Sequence, residues 1–280
     1  MQEKLDWKYR WAPSLGRLDG TAEEMWGIEA YDPVKHQENP VVFFGLYGLP
    51  DFMLLRAHKG KRAILWAGTD ILHFINGYWI DDVGRIRVSP KPFAKWISEN
   101  CESWTENEVE ASALRKFGIE CKVCPSFLGD MNQYPLSFRP ASKVRLYSSV
   151  SGDNFEQYGW HTIEEIAKYF PDYEFNLYGN VKDWKTNNPN VVVHGRIPKE
   201  QMNAETKEMT GGLRPLTFDG ASEILMKSVL WGQWPVSIIK YPHILGIEQL
   251  NELRTKKEPN IEGREYYLKT CNNYPWNLKK

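Results

Sequence analysis

Cysteine is scarce in this 280-residue chain, with four residues at positions 101, 121, 124 and 271. So few, so scattered, they exclude the disulfide framework of a small secreted domain. Cys121 and Cys124 have C-x-x-C spacing, but no second Cys or His pair stands near them, and a tetrahedral zinc site needs four ligands. The six histidines show no metal-ligand spacing either, so no metal is assigned. Long apolar runs are also missing: none approaches the roughly 20 residues that cross a bilayer. The opening MQEKLDWKYRW is too charged for a signal peptide. The expected setting is therefore the cytoplasm, with peripheral membrane contact left open. A charge of either sign is lacking as well. Lys and Arg number 35 against 36 Asp and Glu, which removes any global electrostatic case for nucleic acid as a partner.

What is present is an ordinary globular composition, 42% hydrophobic and 25% charged, long enough for one large or two modest domains. Aromatics are abundant, with 12 Trp, 14 Tyr and 12 Phe. Sugar rings stack on aromatic faces, and aromatics also fill cores; composition leaves both open.

Strand-like runs alternate with helical patterns, which predicts an α/β chain with mainly parallel sheets. In the first half, Val41–Phe44 reads as a buried strand and 62–66 as another, ending in Ala67-Gly68-Thr69-Asp70. Thr105 and Glu108 have capping-box spacing for a helix that Gly118 stops. Asp81-Asp82 reads as a turn rather than a carboxylate clamp. Residues 129–142, polar with two prolines, read as a linker. A second α/β unit follows, with strands near 144–148, 173–179, 191–195 and 213–218 and polar helices over 243–271. The expected division is an N-terminal Rossmann-like domain over 1–128, the linker 129–142, a second Rossmann-like domain over 143–242, and C-terminal helices over 243–280 packing back on the first. Ligands in such folds sit at the carboxyl ends of the strands.

The stretch 212–236 carries the chemistry. An apolar strand runs into Phe218-Asp219-Gly220-Ala221-Ser222, then an amphipathic helix, then Gly232 and Pro235-Val236. Asp219, Gly220 and Ser222 suit a helix start, where free N–H groups and the dipole favour an anion such as phosphate. Asp and Ser also simply cap helices.

The second half resembles the donor-binding domain of a GT-B glycosyltransferase, closest to the large group of retaining enzymes that use nucleotide sugars. The resemblance rests on Tyr158-Gly159-Trp160-His161-Thr162-Ile163, Phe170-Pro171-Asp172-Tyr173-Glu174-Phe175, Gly179, Asn190-Val191 to Gly195, Arg214, Asp219-Gly220 with Ser222, and Gly232 with Pro235-Val236. It covers about 145–240. More weakly, Leu65-Trp66-Ala67-Gly68-Thr69-Asp70 is similar to an element of the acceptor domain, and Trp104-Thr105 through Gly118-Ile119 and Val123-Cys124-Pro125-Ser126 to its last β-α-β unit.

The resemblance implies two Rossmann-like domains facing a cleft, the first of them short, and transfer from a UDP- or GDP-linked sugar to a glycan, lipid-linked or small-molecule hydroxyl. It implies retention and no cofactor. It also implies site residues. Arg214, Gly220, Ala221 and Ser222 would hold the diphosphate, and Gly195, Arg196 and Ile197 would face the base. Asp219 would lie by the donor sugar. Asp70 would orient the acceptor, or else cap the following helix. The chain departs from the family eight residues after Asp219, where an acid that binds the ribose is replaced by Lys227. Glu223, one turn earlier, could substitute or could simply pair with Lys227. A second departure is the loop Ser151–Glu156, which lacks the family's basic residue. Lys227 motivates an alternative, a degenerate nucleotide- or glycan-binding member. A sugar-nucleotide epimerase keeps the same fold, but no paired acid/base carboxylates favour it.

Overall fold

The computed structural model describes residues 7–12, 23–79, 87–140, 142–150, 155–179 and 184–279. Asp81-Asp82 and the loop 151–154 lie outside them. The chain forms two compact units, one of Met1–Asp130, Phe218–Ala221 and Thr270–Lys280, the other of Met131–Thr217 and Ser222–Lys269.

The first unit contains β1 (Tyr9–Trp11), β2 (Glu29–Ala30), β3 (Val41–Phe44), β4 (Arg62–Leu65), β5 (Tyr78–Trp79), β6 (Arg87–Val88), β7 (Glu102–Thr105) and β8 (Cys121–Val123). Six of these build a sheet in the order β2-β1-β3-β4-β7-β8, every neighbouring pair parallel; β5 and β6 form a separate antiparallel pair. A parallel sheet is covered on both faces, which requires continuously apolar strands. In β3, Val41 and Phe43 enter one core while Val42 and Phe44 enter the other. Phe52, Leu55, Ile71, Phe74, Ala94, Ile97 and Leu114, from four helices, cover the first face. Trp7, Trp26, Tyr274 and Trp276 belong to the second core.

The C-terminal segment is tightly held there. The Tyr274 and Trp276 rings stack 4.9 Å apart at 7°, and Trp276 meets Trp7 and Trp104 edge-on at 5.8 and 5.5 Å. The Tyr274 hydroxyl donates to the Cys124 carbonyl at 2.7 Å, and the Asn272 side chain bonds both backbone groups of Phe127. Five tryptophans (7, 26, 66, 160 and 276) are fully buried, so much of the aromatic content is core. Cys124 is buried, with its thiol against the carbonyls of Pro125 and Thr270, and burial pushes the Cys121 thiol up to about 12.

The second unit contains β9 (Arg145–Ser149), β10 (Glu174–Tyr178), β11 (Val191–Gly195), β12 (Gly211–Arg214), β13 (Val236–Ser237) and β14 (Leu245–Gly246). Their order is β11-β10-β9-β12-β13-β14, all parallel. In chain sequence that is 3-2-1-4-5-6, the doubly wound order, with its switch point between β9 and β12. The helices are Trp160–Tyr169, Lys199–Thr206, Glu223–Leu230 and Ile261–Thr270, with a 3-10 segment Ile247–Thr255. No helix among the described residues is long and apolar enough to cross a membrane.

Three local expectations are corrected. The helix Glu108–Arg115 is not opened by a Thr105–Glu108 capping box: Asn107 is the N-cap, its side chain accepting from the Glu110 amide at 3.1 Å. Thr105 is the last residue of β7, and its hydroxyl donates to the Asn107 carbonyl. β12 ends at Arg214 instead of running to Phe218, because Pro215 has no N–H for the ladder. The helix after it begins at Glu223 with Ser222 as N-cap, not at Asp219. Phe218–Ala221 is thus a connecting turn, and it belongs to the first unit.

Candidate functional site

In the second unit the switch point is occupied by a cation. Arg214, the final residue of β12, is buried, and its guanidinium lies over the Tyr158 ring, 4.4 Å from the centroid. Tyr158 and Gly159 lead into the helix Trp160–Tyr169, which follows β9. A guanidinium stacked on an aromatic face keeps its orientation and its charge, and stacked Arg is well suited to phosphate recognition.

Lys227 stands where the resemblance leads one to expect an acid, and its surroundings explain how a lysine is tolerated. Its side chain is 5% exposed, yet Nζ lies 2.7 Å from Glu223 Oε1 and 3.3 Å from Asn203 Oδ1, with the Tyr134 ring centroid at 5.8 Å. Burial lowers its pKa, and the Glu223 charge opposes the shift. Glu223 and Lys227 thus form the i,i+4 pair that their spacing allowed, buried at the lysine and 51% exposed at the glutamate. The cavity beside them, lined by Tyr147, Ser149, Met202, Asn203, Thr206 and Ile224, measures about 30 Å³. A water needs roughly 10–15 Å³ on this measure, so the cavity takes about two or three waters and no nucleoside. Gly195 ends the edge strand β11 with φ +71°. The exposed Arg196 and half-buried Ile197 follow it before helix Lys199–Thr206.

Ser222 is the N-cap of helix Glu223–Leu230 in the second unit; the other site residues assemble in the first unit, around three carboxyl groups that follow neighbouring strands. Asp70 follows β4 and is 0% exposed. Its Oδ1 accepts from the Ala67 amide at 2.9 Å and Oδ2 from the Leu46 amide at 3.1 Å. It ties the ends of β3 and β4 together; it neither faces solvent nor caps its helix, whose N-cap is Gly68. Burial pushes its pKa up to about 6, against those amide hydrogen bonds.

Glu106 follows β7 and is also buried. Its Oε2 accepts from the Ala221 amide at 2.6 Å, and Oε1 accepts from the Ser126 hydroxyl beyond β8. The Glu106 amide donates to Glu110 Oε2 at 2.9 Å, and Asn107 Nδ2 donates to the Asp219 carbonyl at 2.7 Å. Glu110 is 0% exposed, and its Oε1 has no hydrogen-bond partner among the described residues. Burial pushes Glu106 up to about 8; the Ala221 amide counters this, while the charges of Asp219 and Asp70 add to it. Glu110 is raised well above the usual carboxylate range by burial and by Glu106.

Asp70, Asp219, Gly220 and Ala221 therefore come together, joined by Glu106, Asn107, Glu110 and Ser126, which sequence reading missed. One signal was available. Glu106 and Glu110 stand four apart, a like-charge spacing that is unfavourable on an exposed helix.

No family model and no curated protein matches the chain. Solved structures do. The chain superposes on sucrose-phosphate synthase from Thermosynechococcus elongatus with a TM-score of 0.60 at 12% identity, over 88% of this chain and 73% of that one. For alpha,alpha-trehalose 6-phosphate synthase from Burkholderia multivorans the values are 0.57, 9%, 93% and 77%. For a mutant of S. aureus TarM in complex with fondaparinux, alpha-GlcNAc-glycerol and UDP they are 0.54, 14%, 86% and 54%, so the chain spans about half the length of TarM. At these identities the likeness shows the fold, and the fold is GT-B.

Proposed function

We propose that this chain is a glycosyltransferase, moving a sugar from a UDP- or GDP-linked donor to a hydroxyl of a glycan, a lipid-linked sugar or a small molecule. The observation that carries the reading is Arg214, a buried, ring-stacked cation at the switch point of a doubly wound sheet. The GT-B fold is common to the two synthases and to TarM, and TarM was solved with UDP.

Breaking the bond between the anomeric carbon and the donor phosphate leaves a second negative charge on the departing diphosphate. A fixed guanidinium in a low-dielectric setting stabilises that charge as it develops and needs no reorganisation. Tyr158 holds the guanidinium plane. Retention, visible as the anomer first formed, is part of the proposal.

A second reading is favoured by two observations: the Ala221 amide is filled by Glu106, and the cavity at Lys227 is too small for a nucleoside. In that reading the chain is a non-catalytic nucleotide- or glycan-binding member. The Glu106–Glu110 pair does not revive an epimerase, because three of its four oxygens are directed at backbone and Ser126 and both residues are buried.

The test is a thermal-shift and donor-hydrolysis screen across nucleotide sugars, repeated with Arg214→Ala. Stabilisation with turnover, both lost in Arg214→Ala, is the expected result. Stabilisation without turnover selects the binding module; no shift with any nucleotide sinks both readings.

A further inference from the structure

Backbone amides in the turn after β12 are, on the donor-diphosphate reading, where an anion is held. One of them is already taken. The Ala221 N–H points at Glu106 Oε2, and the neighbouring Gly220 is packed so closely on that oxygen that a Cβ there would overlap it. We propose that Glu106 is an internal occupant of the Asp219–Ala221 turn, filling with its own carboxyl group the amide that a donor diphosphate would use, so that an anion binds this turn only when Glu106 leaves. The proposal rests on the diphosphate reading of the turn and adds a residue outside the family pattern.

Four further contacts make Glu106 a built feature of the turn. Ser126 donates to its second oxygen. Its own amide is anchored on Glu110 Oε2. Asn107, the adjacent residue and the cap of the next helix, grips the turn separately through the Asp219 carbonyl. Gly68, in the left-handed region at φ +91°, brings the β4 end so near that a Cβ on it would sit 3.2 Å from the Gly220 nitrogen and 3.4 Å from Glu110 Oε1. The bare oxygen of Glu110 is therefore directed at the same glycine contact, behind the turn. A Cβ at 220 would displace the Glu106 carboxylate, and one at 68 is disfavoured by the left-handed backbone and the close Gly220 nitrogen.

The groups acting on Glu106 and Glu110 are Asp70 from the helix after β4 and Asp219 from the turn itself. Tyr47, beyond β3, and Tyr274, from the C-terminal segment, feel the Glu106 charge in turn. All are acidic or neutral. Bringing a diphosphate to this turn with Glu106 ionised sets like charges side by side at low dielectric, whereas a protonated Glu106 removes one of them. Affinity is then expected to fall as pH rises through the titration of Glu106 near 8, and to lose that dependence when Glu106 is replaced.

The experiment is calorimetric titration of UDP, GDP and inorganic pyrophosphate into the full chain and into Glu106→Ala and Glu106→Gln, with hydrogen exchange read at the Ala221 amide. Glu106→Ala should bind about ten-fold tighter or more, the scale of one hydrogen bond to a charged group, and its Ala221 amide should lose protection. Glu106→Gln, which keeps an acceptor without the charge, should fall between above about pH 8 and match the native chain below it, and it covers the case of an unfolded alanine variant. Binding by Glu106→Ala where the native chain shows none is the strongest support. Equal affinities in all three forms overturn the proposal and leave the transferase reading standing. Binding by none defeats the transferase reading, and Ala221 exchange then decides the occupancy alone: unchanged protection in Glu106→Ala overturns it.

Discussion

Replacing Glu106 by Gln should change how stability depends on pH, with a sign and window set by the site. Burial raises the folded pKa of Glu106 to about 8, from an ordinary value of 4.5. A carboxyl raised in this way binds its proton more tightly in the folded chain than in the unfolded one. Its contribution is complete below about pH 4.5 and is lost as pH climbs toward 8. Glutamine resembles the protonated acid at every pH and has nothing to lose. The variant should therefore gain on the native protein by up to about 1.4 kcal/mol per pH unit across that window. Glu110 competes for the same proton, so the whole gain is a few kcal/mol, shared by the pair. The assay is urea unfolding of both proteins at about pH 5, 6.5 and 8, comparing their difference in free energy. The buried His58 and half-buried His194, whose pKa values burial lowers, titrate in both proteins and cancel in the difference, whereas Asp70, whose charge acts on Glu106, is part of what the difference reads. A difference that stays constant with pH would refute the burial argument for Glu106.

Three other substitutions probe separate contacts. Gly220→Ala drives a methyl into Glu106 Oε2 and should destabilise by about 1–3 kcal/mol; adding Glu106→Ala should restore at least about 1 kcal/mol of it, and strict additivity in the double-mutant cycle would deny the contact. Asn107→Ala removes a helix cap and the hold on Asp219, which should cost about 1–2 kcal/mol in chemical denaturation. Lys227→Met replaces a buried ammonium whose partner Glu223 is half exposed. It should leave the melting temperature unchanged or raise it, whereas a fall of several degrees would mean the ion pair is a net stabiliser.

The fold was legible because its strands are loud: Val41-Val42-Phe43-Phe44 has no polar residue, and only a two-sided sheet buries such a run. The resemblance also located Arg214 and Lys227, whose positions need only counting. What stayed hidden depends on burial. Asp219 and Ser222 look like helix-opening residues, yet the helix waits for Glu223 because the turn before it is held by Asn107 and Glu106. Thr105 and Glu108 have the spacing of a capping box, but Thr105 is consumed by β7 and Asn107 is already in place. Glu106 and Glu110 read as acids near a helix start, where the dipole welcomes them. Nothing local says that both lie beneath residues more than 100 positions away.

The C-terminal residues also bear on the order of events in synthesis. Tyr274 and Trp276 complete a core whose other members, Trp7, Trp26, Val42, Phe44 and Leu65, are made at the start. Translation delivers these two rings after the whole of the second unit. Until residues 270–280 emerge, the first unit lacks two rings of that core, while the second unit, contiguous apart from one short turn, has its strands in hand. The first unit, although its strands precede those of the second in the chain, thus completes its core only with residues that follow the whole of the second unit.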